Sequence, residues 1–84
     1  MNPEFSLERY YPPTEERLIT ARYDVNGVNT VNELIVLEQI LAEASRAYCV
    51  DKAIDDPSSD KNPYILFLNA CAKKRHVLDD VLFS

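Results

Sequence analysis

The segment TVNELIVLEQILAEASRAYCVDKAI, from Thr30 to Ile54, decides the fold of this chain. It opens with a capping box, in which the Thr30 hydroxyl is expected to accept a hydrogen bond from the backbone N–H of Glu33 while the Glu33 carboxylate accepts one from the N–H of Thr30. Apolar residues then recur at the three- and four-residue spacing of an α-helix. The segment therefore predicts a long helix over residues 30–54.

This helix carries more apolar surface than one packing partner would cover. At about 100° per residue, a first stripe collects Leu34, Leu37, Leu41, Ala44 and Tyr48. A second stripe beside it consists of Val36, Ile40, Ala47 and Ile54. A helix that is apolar over most of its circumference is buried from several sides. We assign the first stripe to the core and the second stripe to an interaction surface, with packing inside one chain as the alternative.

A C-terminal helix is predicted over residues 63–82. Asn62 is a preferred cap residue, and Pro63 follows it at the first helical position, where its missing N–H has no partner to lose. Lys74 and Arg75 project between apolar neighbours of this helix, so either the helix bends or the charged heads reach solvent along their methylene stems. Both are candidate interaction residues.

Residues 1–13 are predicted to form an extended arm, because Pro12 and Pro13 forbid a helix there and bias the preceding residue toward extended backbone. The aromatic side chains of the arm either fold back on the body of the protein or lie on another chain. Tyr10 and Tyr11 are therefore also candidate interaction residues.

Residues 14–25 admit two interpretations. As a helix, the segment has Thr14 as its cap, acidic residues in its first turn and Gly27 as a stop. As a strand, it alternates apolar residues on one face and ends at Asn26-Gly27, a strong signal for a two-residue hairpin. The second strand would hold only Val28 and Asn29, and a short hairpin is marginal in water. We therefore favour the helix.

These elements predict one all-α domain over residues 1–84, either a small three-helix bundle or a helical hairpin with a short N-terminal helix. An α+β fold with a hairpin around Asn26-Gly27 is the alternative. At 84 residues, a single core gives only about 3–5 kcal/mol of stability unless something else helps. The apolar fraction of 46% is too high for a disordered chain.

Composition argues against most catalytic chemistry, so we expect no enzyme and no cofactor. The single glycine, Gly27, does not supply the several glycines of a phosphate-binding loop. Cys71 and the only histidine, His76, point about 140° apart on one helix, and no paired cysteine spacing suggests zinc. Residues 56–67 resemble a calcium loop only in part, because Lys61 and Phe67 replace its glycine and glutamate.

The charge and hydropathy of the chain limit where the protein is expected to be located and which partners it is expected to bind. No apolar run reaches the roughly 18 residues of a membrane span, and the N-terminus has neither a basic start nor an apolar stretch, so we expect a cytoplasmic protein. Cys49 and Cys71 are then expected to be reduced and to fill the core. The net charge of −5 disfavours binding to nucleic acid or to anionic membranes.

The resulting functional hypothesis is a small, non-enzymatic protein-interaction or regulatory adaptor that acts through apolar helix faces and forms a homo-oligomer. The alternative is an acidic inhibitor, or nucleic-acid mimic, that blocks a basic site on a partner protein. Its support is the net charge together with Glu33, Glu38 and Glu43, which recur at intervals of five.

Overall fold

The computed structural model describes the backbone of residues 5–83 and the side chains of residues 5–80. Within this range the chain forms α1 (Leu7–Tyr10), α2 (Glu15–Gly27), α3 (Val31–Asp51) and α4 (Ile65–Phe83). No strand occurs among these residues. The prediction of an all-α fold is therefore confirmed.

The core lies between the four helices and is built around α3. Helix α1 packs on α2 and α3, and α4 packs on the same two helices. The first stripe faces this core as predicted, since Leu34, Leu37, Leu41 and Ala44 are fully buried and Tyr48 packs at the margin. Each buried leucine contributes about 1.5–3 kcal/mol relative to an exposed one, so this face of α3 supplies much of the drive to fold.

Both predicted threonine caps are present. The Thr30 hydroxyl accepts from the backbone N–H of Glu33 at 3.1 Å, and the Thr14 hydroxyl accepts from that of Arg17 at 3.2 Å. The return bond of the capping box, from the Thr30 N–H to the Glu33 carboxylate, is not among the hydrogen bonds of the described residues. The start of α3 is thus fixed by half of the predicted motif.

The hairpin alternative is wrong. Asn26 and Gly27 form the last turn of α2, two residues beyond the predicted helix end, and Ala53 is the residue with positive φ in the described chain. A type I′ hairpin would need positive φ at both turn residues. Ala21 and Val25 are buried, four residues apart, so helical burial of these two side chains decides the structure.

Helix α3 ends three residues earlier than predicted, in a Schellman motif centred on Ala53. The N–H of Ile54 donates to the carbonyl of Cys49 at 2.9 Å, and the N–H of Ala53 donates to that of Val50 at 3.4 Å. This motif needs a left-handed residue, usually glycine, and Ala53 takes that role with φ of 53°. Alanine gives no stop signal in a sequence, which explains the overestimate.

The prediction of an extended arm is wrong over residues 7–10, which form the single turn α1; residues 1–4 of that arm lie outside the described range. The turn is held down at its C-terminal end. The Tyr10 hydroxyl donates to the Asp24 carboxylate at 2.6 Å, and the Tyr64 hydroxyl donates to the Tyr10 carbonyl at 2.6 Å. Arg9 forms an ion pair with Asp24 at 2.6 Å. The arm therefore folds back on the body.

Helix α4 begins at Ile65, two residues after the predicted start. Asn62 does accept a backbone hydrogen bond, from Tyr64 N–H at 3.1 Å, but it is also fully buried. Its amide donates to the Ser45 hydroxyl and to the Pro57 carbonyl, both at 2.8 Å. Asn62 thus ties the loop between α3 and α4 to the middle of α3.

None of the described helices is both long enough and apolar enough to cross a lipid bilayer.

Candidate interaction surface

The second stripe of α3 lies on the side of the helix away from the core. Val36 is 46% exposed, while Ile40, Ala47 and Ile54 are half-buried. Ile40 also packs partly against the core cluster, and Ile54 lies just beyond the end of α3. The stripe is therefore a partly exposed surface, with Val36 as its most open predicted member.

Val50 is the most exposed large apolar residue of this face and was missed by the sequence interpretation. Its side chain is 83% exposed. Val50 follows Ala47 by three residues and Ile40 by ten, so it falls on the same side of an α-helix. At 100° per residue, however, Val50 points in the same direction as the exposed Asn32, so helical spacing places it at the polar border of this side. The apolar residues Val36, Ile40, Ala47 and Val50 on this side of α3 are called the outer face below.

The remaining predicted interaction residues do not join the outer face. Tyr10 is fully buried, and Tyr11 is half-buried against the core cluster. Arg75 is exposed and lines a groove between α3 and α4. The other residues of that groove are Glu38, Ala72, His76 and Asp79.

The ammonium group of Lys74, foreseen from sequence to reach solvent unless the helix bends, contacts the end of α2 while remaining partly exposed. Its ammonium group donates to the carbonyls of Val25 at 2.7 Å and Asn26 at 2.6 Å. These carbonyls belong to the last turn of α2, where a cation also interacts favourably with the helix dipole. Partial desolvation lowers the pKa of Lys74. Lys74 thus caps α2 from α4, across 49 positions of sequence.

A second group of exposed apolar side chains lies on α2 and α4. Ile19, Tyr23, Leu66 and Val77 belong to it. Leu66 borders a groove between these helices with a volume of about 130 Å³. Sites for small organic ligands usually have volumes of about 300–1,000 Å³. The groove is therefore too small for a typical ligand.

Both cysteines are buried and unbridged, as predicted for core residues. Burial raises the pKa of the Cys71 thiol to about 11, so the thiol stays protonated at neutral pH and is a poor nucleophile. His76 is exposed on α4.

The partial calcium loop is organised by its own hydrogen bonds. The Asp56 carboxylate accepts from the backbone N–H of Ser58 at 3.0 Å and from its hydroxyl at 2.7 Å. These bonds lower the pKa of Asp56 and form a local turn. No group of three potential metal-ligating side chains occurs within residues 5–80.

The three glutamates behind the acidic-inhibitor alternative do not share one face. Residues five apart on a helix differ by about 140° in direction, and Glu38 lines the α3–α4 groove whereas Glu43 is exposed elsewhere.

Comparison of the chain with protein-family models, curated proteins and solved structures finds no match. The outer face of α3 is thus the surface on which a functional interpretation rests.

Proposed function

We propose that this protein is a small, non-enzymatic interaction module, of the adaptor or regulatory kind, which self-associates through the outer face of α3. The observation that carries the proposal is the exposure of Val50 and Val36 on one side of the same helix. These residues lie fourteen positions apart, a distance of about 21 Å along a helix. An apolar line of that length, interrupted by the charged Glu43, offers an extended surface for a partner.

The energetics support association through this face. Burying a valine side chain contributes about 1.5 kcal/mol or more, and contiguous exposed apolar surface commonly marks a protein-interaction site. A domain of this size also has a small core of its own. Covering the outer face would therefore stabilise both the complex and each subunit.

Sedimentation equilibrium over a range of protein concentrations tests the proposal. We expect the mass to rise from the monomer value of 9.6 kDa toward twice that value. Val50→Lys should abolish the rise, because it places a charge on the outer face. Lysine is chosen because a cation in the last turn of a helix is favoured by the dipole, so loss of association will not reflect loss of the helix.

Val77→Lys is the matched control. Val77 is 60% exposed on α4, so this variant changes the charge equally but leaves the outer face intact. It should self-associate like the natural chain, and circular dichroism should show equal helicity for both variants. A natural chain that stays at 9.6 kDa at high micromolar concentration would contradict the proposal, as would equal association by Val50→Lys and Val77→Lys.

No observation on the described residues favours the acidic-inhibitor alternative over this proposal. The cytoplasmic location stays a prediction from sequence.

A further inference from the structure

The outer face has the residue spacing of a coiled-coil seam. Its positions are Val36, Ile40, Glu43, Ala47 and Val50, separated by four, three, four and three residues. An alternation of three and four keeps side chains on one seam when two helices wrap around each other with a period of about 3.5 residues. Glu43, which is exposed, is the only charged residue in this seam.

The seam matches itself when two copies run in opposite directions. With a two-fold axis at Ser45, Ile40 meets the partner's Val50 and Glu43 meets the partner's Ala47, whereas Val36 faces the partner's Ile54, which lies beyond the end of α3. Each layer then joins one larger residue to a smaller one, and the small alanine leaves room for the glutamate side chain. An interface of this kind uses the same patch on both subunits, as a two-fold axis requires.

Charge complementarity favours the same orientation. In the antiparallel arrangement, Glu43 and the partner's Arg46 differ in height by one residue, about 1.5 Å, so two symmetric ion pairs form. In a parallel arrangement, Glu43 would face the partner's Glu43, and like charges at an interface are unfavourable. Both side chains are exposed, and neither takes part in the ion pairs formed within residues 5–80.

We propose that the binding partner of the outer face is a second copy of this chain, whose α3 packs antiparallel about a two-fold axis at Ser45. This inference rests on the proposed self-association and adds the partner's identity and orientation. Ion pairs between Glu43 and the partner's Arg46 fix the register of the two helices.

Charge reversal tests the predicted pairing. Glu43→Arg alone and Arg46→Glu alone should each weaken the homodimer at least tenfold, because each brings two like-charge pairs together; tenfold corresponds to about 1.4 kcal/mol. In an equimolar mixture of the two variants, every reversed charge meets an opposite charge. Native mass spectrometry with one isotopically labelled variant should then find heterodimers well above the statistical half.

Arg22→Glu is the control for this mixture. Arg22 is exposed on α2, so its reversal changes the net charge as Arg46→Glu does but leaves the seam unaltered. A mixture of Glu43→Arg with Arg22→Glu should not be enriched in heterodimers to the same degree. Equal enrichment in both mixtures would overturn the proposed ion pairs.

Cysteine cross-linking tests the orientation. A mixture of Ile40→Cys and Val50→Cys chains should form a disulfide-linked dimer between the two introduced thiols under mild oxidation, whereas each variant alone should not. Cross-linking of each variant to itself, with none between the two, would show a parallel arrangement and overturn the inference.

The two proposals fail in different ways. A natural chain that is monomeric at all concentrations removes both of them. If Val50→Lys blocks dimer formation but the charge-reversed variants show no preference for each other, self-association through the outer face stands and the antiparallel pairing is wrong.

Discussion

The two sides of α3 carry similar residues in different environments. Leu34, Leu37 and Leu41 are completely buried, whereas Val36 and Val50 on the opposite side are 46% and 83% exposed. The first set packs against α1 and α4 within one chain. The second set has surface left for another molecule. Apolar periodicity therefore identifies an apolar face of a helix, but it does not say whether another part of the same chain covers that face.

Substitution by aspartate on the two sides of α3 should give the largest difference in unfolding free energy. Leu41→Asp places a carboxylate in the core, which we expect to cost more than about 4 kcal/mol, comparable to the whole stability of a domain of this size. Val36→Asp on the outer face should cost less than about 1 kcal/mol. Urea denaturation followed by circular dichroism measures both. A folded Leu41→Asp variant would contradict the assigned core.

Alkaline pH should loosen the turn that covers one end of the core. Burial raises the pKa of Tyr64 to about 12, while a tyrosine in an unfolded chain ionises near pH 10. The folded state holds the Tyr64 proton more tightly than the unfolded state does. The resulting contribution of Tyr64 to the unfolding free energy is fully present below about pH 10 and is lost as the pH rises toward 12. At about 1.4 kcal/mol per pKa unit, the expected loss of unfolding free energy is about 2–3 kcal/mol.

Urea denaturation at increasing pH checks this prediction. Tyr64→Phe should remove only the Tyr64 share of the decline above pH 10, because burial also raises the pKa values of Tyr10 and Cys71, and these two groups still ionise. Tyr23→Phe is the control, since Tyr23 is 78% exposed and should leave the decline as it is. Identical pH profiles for the two variants would argue against a role for the Tyr64 hydroxyl.

The contact between α4 and the end of α2 should contribute less to the unfolding free energy than the Tyr64 hydroxyl does. Lys74→Ala removes the ammonium group that binds the Val25 and Asn26 carbonyls, and the expected loss is about 1 kcal/mol, since solvent can partly replace it. Lys73→Ala, at an exposed neighbouring position, should change stability by less than about 0.5 kcal/mol. Equal effects in urea denaturation would show that the cap adds nothing.

The C-terminal end of α3 offers the prediction with the smallest effect, and this substitution should stabilise the fold. Ala53 adopts φ of 53°, a conformation that glycine adopts without strain. Ala53→Gly should therefore raise the unfolding temperature and add about 0.5–1 kcal/mol. Ala42→Gly, inside α3, should lower stability by about 1 kcal/mol. Destabilisation by both substitutions would contradict the left-handed helix end.

Features that depend on neighbouring residues could be predicted from the sequence. Thr14 and Thr30 cap their helices through backbone groups three residues away, and the core stripe of α3 follows from helical spacing alone. The end of α3 was misplaced because Ala53 adopts a backbone conformation that alanine rarely favours.

Features that depend on distant residues could not be predicted. Lys74 finds its carbonyl partners on another helix, and Asn62 finds Ser45 seventeen positions away. The candidate surface was predicted in part: the second stripe was identified, but Val50 was omitted and the buried Tyr10 was included. Such outcomes depend on which helices pack together, and the local pattern does not contain that information.

We propose above that two molecules meet at the outer face of α3. Two-dimensional NMR of the natural chain, recorded as the protein concentration is raised, tests it without any substitution. Self-association through this face predicts that the amide signals of Val36, Ala47 and Val50 shift with concentration while those of Leu66 and Val77 on α4 stay in place. Shifts confined to Leu66 and Val77, or no shift at any concentration, would contradict it.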